Sequence, residues 1–264
     1  MDMLQKLYAP EPTLSCEYFP PKNPSGWGTL YATLAAAQEL KLDFASVTYG
    51  AGGSTREKTL SLVERLQNEL TIDAMAHLTC VGHSQAELDI ILTQLKADGI
   101  PAVMALRGDP PQGSHHFSPH AGGFSYATDL ITFIRSRYDF KIGCASYPEG
   151  HIESASMQQD IIFLKQKQDC GADFTVTQLF FDNDDFYRFR DAARAAGVTM
   201  PIIAGIMPVT AVKQLDRFQT LCGCTIPRKL SNLLLADTET SIVERGIIYG
   251  IAQVQDLLDH DVDG

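Results

Sequence analysis

Along the chain, apolar residues gather in short β-rich runs, each followed by a longer stretch with helical spacing. The runs begin at Leu14 (LSCEYF), Phe44 (FASVTYG), Ala74 (AMAHLTC), Ala102 (AVMALRG), Lys141 (KIGCASYP), Phe174 (FTVTQLFF) and Ile202 (IIAGIMPV). They start 28 to 39 residues apart, room for one strand and one helix each time. Several runs are apolar on successive residues, as expected for parallel strands covered on both faces. Helix starts are marked by the capping-box patterns Ser54–Glu57 and Ser84–Glu87, and Asp182 and Thr210 are expected N-caps. A helix is also expected over 154–169. Strict strand–helix alternation in 264 residues predicts an α/β fold, a single-domain (β/α)8 TIM-type barrel over residues 1–264. The eighth strand is not evident. After the seventh run the text is helical (RKLSNLLL, then TETSIVERGIIYGIAQVQDLLDH), although the short run Leu233-Leu234-Leu235 stands at the place for the start of an eighth strand. The long gap after the fourth run, Pro110 to Gly123, reads as a loop.

Composition narrows the function classes. Lys and Arg number 21 against 32 Asp and Glu, a formal net charge of −11 at pH 7. So acidic a chain lacks the footprint of a nucleic-acid binder, and an anionic ligand must be held by a few local cations or backbone N–H groups. No apolar run is long enough to span a bilayer, and the first residues lack a secretory signal. Six cysteines without such a signal are expected to be reduced thiols in a cytoplasmic protein.

In a barrel of this type the site lies at the carboxyl ends of the strands. There the sequence places Glu17, Thr48-Tyr49, His77 and Thr79, Arg107-Gly108-Asp109, Tyr147-Pro148-Glu149 with His151, and Thr177-Gln178. Glu17, between Cys16 and Tyr18-Phe19, is expected to have a raised pKa that suits a general acid; the competing reading is an ion pair with a cation such as Arg107. The Gly50–Thr55 stretch fits neither dinucleotide nor P-loop spacing and reads as a tight loop into a capped helix. His115, His116 and His120 lie in a Pro/Gly-rich loop without ligand spacing, and Cys222-Gly223-Cys224 has no second pair; no metal is assigned.

Taken together, the segments Ser15–Lys22 (SCEYFPPK), Ser46–Gly50 (SVTYG), His77–Cys80 (HLTC) and Ala105–Asp109 (ALRGD) resemble the methylenetetrahydrofolate reductase family, bacterial type. Tyr126–Leu130 (YATDL), Ala145–Glu149 (ASYPE), Thr177–Asp182 (TQLFFD) and Gly205–Pro208 (GIMP) continue the match in the family's order up to about Pro227. The resemblance implies a barrel holding non-covalent FAD, within a homo-oligomer. It implies a ping-pong reaction in which NAD(P)H reduces the flavin and leaves, and 5,10-methylenetetrahydrofolate then becomes 5-methyltetrahydrofolate for methionine synthesis.

By motif position, the resemblance makes Glu17 the general acid and Asp109 the carboxylate beside flavin and pterin. Thr48, Tyr49, His77, Arg107, Gly108, Asp109, Ala127, Tyr147, His151, Asp160 and Lys167 fall at FAD-contacting positions. Asp109, Gln178, Gln214 and Phe218 fall at folate or nicotinamide positions. Phe218 follows Val212 and Leu215 at helical spacing, so core packing competes for it. Lys167 competes as a solvated charge on its helix. The sequence departs from the family at Ser154, Phe163 and Gln166, where polar cofactor contacts are usual. It also lacks the family's aromatic-rich closing strand before Gly264. Alternatives are another FAD barrel, such as a proline dehydrogenase-like enzyme, or a truncated, non-catalytic ligand-binding barrel.

Overall fold

The computed structural model describes residues 3–21, 23–49, 56–109, 117–236 and 238–264. The Gly50–Thr55 loop with its Ser54 cap, the Pro110–Gly113 part of the long loop, and His115 and His116 lie outside these. The chain divides into two compact units, residues 1–144 with 169–174, and residues 145–168 with 175–264.

The first unit runs α1 (Met3–Leu7), β1 (Ser15–Tyr18), α2 (Gly26–Ala37) with a 3₁₀ turn at Gln38–Leu40, β2 (Phe44–Val47), α3 (Arg56–Asn68), β3 (Ala74–Thr79), α4 (Gln85–Ala97), β4 (Ala102–Leu106) and α5 (Ala127–Arg137). It also takes Lys141–Cys144 of β5 (Lys141–Ser146) and Phe174 of β6 (Phe174–Thr177). The second unit holds the rest of those strands, α6 (Met157–Asp169) as far as Gln168, α7 (Asn183–Ala195), β7 (Ile202–Ile203), α8 (Lys213–Cys222), α9 (Arg228–Leu235) and α10 (Ile242–Leu258). The strands are hydrogen-bonded in chain order, β1 to β7. This is the TIM-type (β/α)8 connectivity with seven strands among the described residues, each at its sequence run. Every residue of β2 and β3 is buried, as their unbroken apolar text requires.

One local device recurs where the chain turns from a helix into a strand. A residue with positive φ comes first: Lys41 (53°), Thr71 (54°), Gly171 (112°) and Asp261 (54°). A buried apolar plug follows, Leu42, Ile72, Ala172 and Val262, and then an aspartate, Asp43, Asp73, Asp173 and Asp263. Asp43 Oδ2 accepts from Leu14 N (2.9 Å), Asp173 Oδ2 from Ile142 N (2.7 Å) and Asp263 Oδ2 from Ile202 N (2.7 Å). Each of these three carboxylates also meets a cation, Lys6, Arg135 and Arg194 respectively. After the fourth copy, Gly264 O accepts from Ala204 N (2.8 Å), so Asp263-Gly264 lie along β7 as Asp173-Phe174 lie along β5.

The helix signals held at Ser84 and Asp182. Ser84 Oγ accepts from Glu87 N while Glu87 Oε2 accepts from Ser84 N, and Asp182 Oδ1 accepts from Asp184 N. Thr210 does not cap α8. The helix starts three residues later, and Gln214 Oε1 folds back to take Thr210 N (2.8 Å) and Ala211 N (2.9 Å). The helix expected from 154 starts at Met157, because Ser156 Oγ accepts from Gln159 N and takes the cap position. Leu233–Leu235 belong to α9, whose Leu230 and Leu234 face the core one turn apart. No described helix is long and apolar enough to cross a membrane.

In the second unit α10 buries a mostly polar and small face: Arg245, Gly246, Gly250, Gln253 and Leu257. Gln253 Nε2 donates to Phe180 O (3.0 Å) and Tyr249 Oη to Phe181 O (2.6 Å). Asp256 accepts from Asn183 Nδ2 (2.7 Å) and Tyr187 Oη (2.6 Å), which holds its carboxyl below the usual range. A Cβ on Gly246 would overlap the Val209 carbonyl oxygen, whereas one on Gly250 would meet only the Pro208 ring at 3.4 Å. Gly246→Ala is therefore expected to destabilise by about 2 kcal/mol or more. Gly250→Ala gains about 0.5–1 kcal/mol of helix propensity and should come out near neutral. Urea midpoints of the two variants check this; equal midpoints would show that α10 does not sit against backbone.

Candidate active site

In the first unit, register decides which side chains share a face. Glu17 pairs with Ser46, Ser46 with Met75, and His77 with Met104. Paired residues and residues two apart share a face, so Glu17, Ser46, Met75, His77 and Met104 project to one side. Glu17 Oε2 comes 3.7 Å from His77 Nε2. Although 44% of the Glu17 side chain is reachable by solvent, protein atoms crowd its carboxyl, and desolvation holds its pKa above the ordinary glutamate value. This agrees with the sequence reading. The basic group the structure puts against Glu17 is His77. Burial pushes the imidazole down to about 4, so it is neutral at pH 7 and the contact is not an ion pair. At 3.7 Å it is also too long for a hydrogen bond. His77 Nε2 is buried without a hydrogen-bond partner among the described residues.

The neighbouring strand ends are fixed by local bonds. Thr48 N donates to Tyr18 O (3.0 Å), and its carbonyl accepts from Thr59 Oγ1 (2.9 Å). Tyr49 is buried, and its hydroxyl lies 3.0 Å from His83 Nε2. His83 Nδ1 is 2.9 Å from the Val81 carbonyl. A carbonyl only accepts, so Nδ1 carries the proton and Tyr49 donates to Nε2. Burial raises the Tyr49 phenol to about 12. Sequence reasoning missed His83, which has no motif of its own. Gly108 sits at φ 86°, and a Cβ there would come 2.6 Å from Val81 Cγ1, so this turn needs glycine twice over. Arg107 lies half-buried with its guanidinium 5.1 Å from the Phe117 ring, and Asp109 is exposed. Ala127 opens α5. Asp129 Oδ2 accepts from Ser125 N and Tyr126 N, leaving the first-turn N–H groups of Ala127 and Thr128 for an outside acceptor.

In the second unit the structure assembles Tyr147, His151, Asp160 and Lys167. The Tyr147 and His151 rings meet edge to face at 4.6 Å. Asp160 Oδ2 accepts from His151 N (2.7 Å), and Gly150 takes the turn at φ 89°. Lys167 Nζ donates to Ala145 O (2.8 Å) and lies 5.9 Å from the Tyr147 ring centre. It is not merely a solvated charge. Gln178 N donates to Ser146 O, and its Oε1 accepts from Leu179 N (2.9 Å), so its side-chain N–H2 is the end left to donate. Gln214 uses its oxygen in the turn before α8, as above. Phe218 is 7% exposed and packs with Phe181, Val209, Leu215, Leu230 and Leu234, the core placement its spacing allowed. Ser154 is half-buried, and Phe163 and Gln166 are exposed.

A cavity of about 10 Å³, the size of one water, is lined by Tyr147, Glu149, Gln178, Cys222 and Cys224 among others. Glu149 Oε2 accepts from Thr225 N (2.8 Å), and burial raises its carboxyl pKa and drives the Cys224 thiol to about 12. None of the six cysteines is in a disulfide. His120 Nδ1 bonds to the Ala121 carbonyl, and no metal-ligating cluster occurs among the described residues.

The fold is a TIM-type (β/α)8 barrel with polar side chains gathered at its strand ends. The family model for methylenetetrahydrofolate reductase matches residues 2–264, and the chain belongs to that family. A probable methylenetetrahydrofolate reductase (NADH) of Oryza sativa subsp. japonica is 38% identical over 257 residues, 92% of this chain and 43% of the rice protein. The 5,10-methylenetetrahydrofolate reductase of Escherichia coli (strain K12) is 38% identical over 220 residues, 83% of this chain and 72% of that protein. The chain thus spans less than half the length of its plant relatives. Among solved structures, an uncharacterized protein from Clostridium thermocellum that binds two copies of 5-methyl-5,6,7,8-tetrahydrofolic acid shares the fold. Its TM-score is 0.65 at 18% identity, over 97% of this chain and 86% of that one.

The buried histidine makes stability depend on pH with a definite sign. His77 is neutral when folded down to about 4, whereas an unfolded chain protonates it near 6.5. Below pH 6.5 the unfolded state therefore binds the extra proton, and stability falls as pH drops toward 4. Glu17, whose folded pKa is raised, works in the opposite direction. Between pH 7 and 4, His77→Gln is expected to lose roughly 2–3 kcal/mol less stability than wild type, by urea denaturation at each pH. Identical losses in the two proteins would mean that His77 is charged in the folded state.

Proposed function

We propose that this chain is the catalytic barrel of a methylenetetrahydrofolate reductase. It holds FAD non-covalently, takes reducing equivalents from NAD(P)H and converts 5,10-methylenetetrahydrofolate to 5-methyltetrahydrofolate in a ping-pong cycle. The Glu17–His77 juxtaposition, in a chain of this family, carries the reading. General-acid work near neutral pH needs a carboxyl that keeps its proton, and desolvation favours that at Glu17. A neutral imidazole beside it does not pull the proton away as a cation would. Protonation of a folate ring nitrogen by Glu17 helps the methylene bridge open to a 5-iminium cation. Asp109, whose motif position gives it a place beside the pterin, favours that positive charge.

The residues present fit a flavin dinucleotide. His77 Nε2 and Ser146 Oγ are buried polar atoms without partners among the described residues, the kind of group a ligand satisfies. In the first unit Thr48, Tyr49, His77, Arg107, Gly108, Asp109 and Ala127 would contact it; for Tyr147, His151, Asp160 and Lys167 of the second unit the family resemblance implies the same role. The unclaimed N–H groups at the start of α5 suit a phosphate oxygen, and Arg107 supplies a cation. Bound FAD supplies the hydride relay between the two substrates. Asp109, Gln178, Gln214 and Phe218 are the proposed substrate contacts, with Gln178 offering its N–H2 to a carbonyl or ring nitrogen. The NADH named for the rice relative supports NADH as donor. We place the enzyme in the cytoplasm as a homo-oligomer.

Purified protein should be yellow, bleach under anaerobic NADH and recover colour with methylenetetrahydrofolate. Colourless protein that takes up no added FAD would overturn the reading. Glu17→Gln should keep FAD and its reduction by NADH while slowing reoxidation by methylenetetrahydrofolate roughly 100-fold or more. Stopped-flow traces of the two half-reactions decide it, and equal losses in both would remove Glu17 from the acid role.

A further inference from the structure

Glu149 lies in the turn after β5, between Tyr147 and His151. Its Oε2 accepts from Thr225 N (2.8 Å), just beyond the end of α8. The same two segments touch a second time. Gly223 closes α8 at φ 69°, and a Cβ there would come 2.6 Å from Ile152 Cγ2. Glu149 thus ties the β5–α6 turn to the end of the helix that carries Gln214 and Phe218.

The other carboxyl oxygen has a different situation. Glu149 Oε1 is buried with no hydrogen-bond partner among the described residues, and burial has raised the carboxyl's pKa. An oxygen in that position calls for a donor. Glu149 and Gln178 line the same cavity of about 10 Å³, a volume that one water fills. Cys222 and Cys224, which also line it, are weak hydrogen-bonding groups. Gln178 Oε1 is committed to Leu179 N (2.9 Å), so its two side-chain N–H bonds are the donors at hand.

We propose that Glu149 is a positioning residue for the folate half-reaction: through Thr225 it fixes the end of α8, and through one water in this cavity it orients the Gln178 amide. The water accepts from one N–H of Gln178 and donates to Glu149 Oε1. Held by Leu179 N at its oxygen and by the water at its nitrogen, the amide does not flip, and its second N–H faces the substrate. A carbonyl or ring nitrogen of the pterin is then the matching partner. The proposal rests on the catalytic reading above, in which Gln178 is a substrate contact.

Half-reaction kinetics and a crystal structure test it on the full chain with FAD. Glu149→Gln keeps the size of the side chain and an oxygen for Thr225 N, but it puts an N–H2 where the water needs an acceptor. It should melt near wild type and have its flavin reduced by NADH at the wild-type rate, while KM for methylenetetrahydrofolate rises about tenfold. Gln178→Ala should raise that KM to a similar degree, and the double variant should be no worse than Gln178→Ala alone. In a high-resolution crystal structure of wild type, one water should lie within hydrogen-bond distance of both Glu149 Oε1 and Gln178 Nε2. Additive effects of the two substitutions, an equal slowing of flavin reduction by NADH, or a cavity without that water would each overturn the proposal while wild-type turnover leaves the catalytic reading intact. Wild type that does not turn over methylenetetrahydrofolate at all would overturn the catalytic reading and the proposal with it.

Discussion

A parallel strand that slips by one residue turns every side chain on it to the other face. In this chain the register is held where strands begin. Asp43, Asp173 and Asp263 each accept the N–H of a residue at or just before the start of the neighbouring strand, and each is steadied by a cation. A hydrogen bond to a carboxylate is stronger than one between neutral groups, so a shifted pairing leaves both a charge and an amide unsatisfied. The positive-φ residue two positions earlier and the buried plug between them fix the angle at which the chain arrives. Without that register Glu17 would face the helices and would not approach His77.

The Glu17–His77 contact follows from this constraint and shows its energetic cost. Burying an imidazole without a hydrogen-bond partner is unfavourable, and raising a carboxyl's pKa stores the same kind of unfavourable energy. A structure selected for stability alone would replace both with aliphatic side chains, as it does at Met75 and Met104 on the same face. Two desolvated polar groups side by side are what the proposed acid role of Glu17 draws on. Tyr49 shows the contrast. Its hydroxyl is satisfied by His83, whose other nitrogen is satisfied by Val81, so that chain of bonds ends within the protein.

The repeating strand-and-helix text made the connectivity legible, because parallel strands buried on both faces need consecutive apolar residues and leave little ambiguity about where they lie. Glu17 was legible as well, since a lone carboxylate among Cys, Tyr and Phe has few ways to avoid desolvation. The cap at Thr210 was misread because Gln214, four residues on, competes for the same N–H groups, and a side chain folding back leaves no trace in local propensity. The strand-leading aspartates were in plain view as LDF, IDA, ADF and VDG. Their meaning depends on a partner N–H about thirty or more residues away, and no local pattern carries that. His83 was hidden for the same reason, its role being set by a tyrosine on another strand.

The acidity of the chain and its polar interior have a common consequence. With a net charge of −11, cations are scarce, and several serve the fold. Lys6, Arg135 and Arg194 hold the strand-leading aspartates, Lys167 holds the Ala145 carbonyl, and Arg245 holds Ala236. An anionic ligand therefore meets few side-chain charges here, and backbone N–H groups such as those opening α5 become the cheaper donors, since they are already oriented by the helix. The same economy operates in α10, where Tyr249 and Gln253 tie the helix to the Phe181 and Phe180 carbonyls beside the buried Leu257.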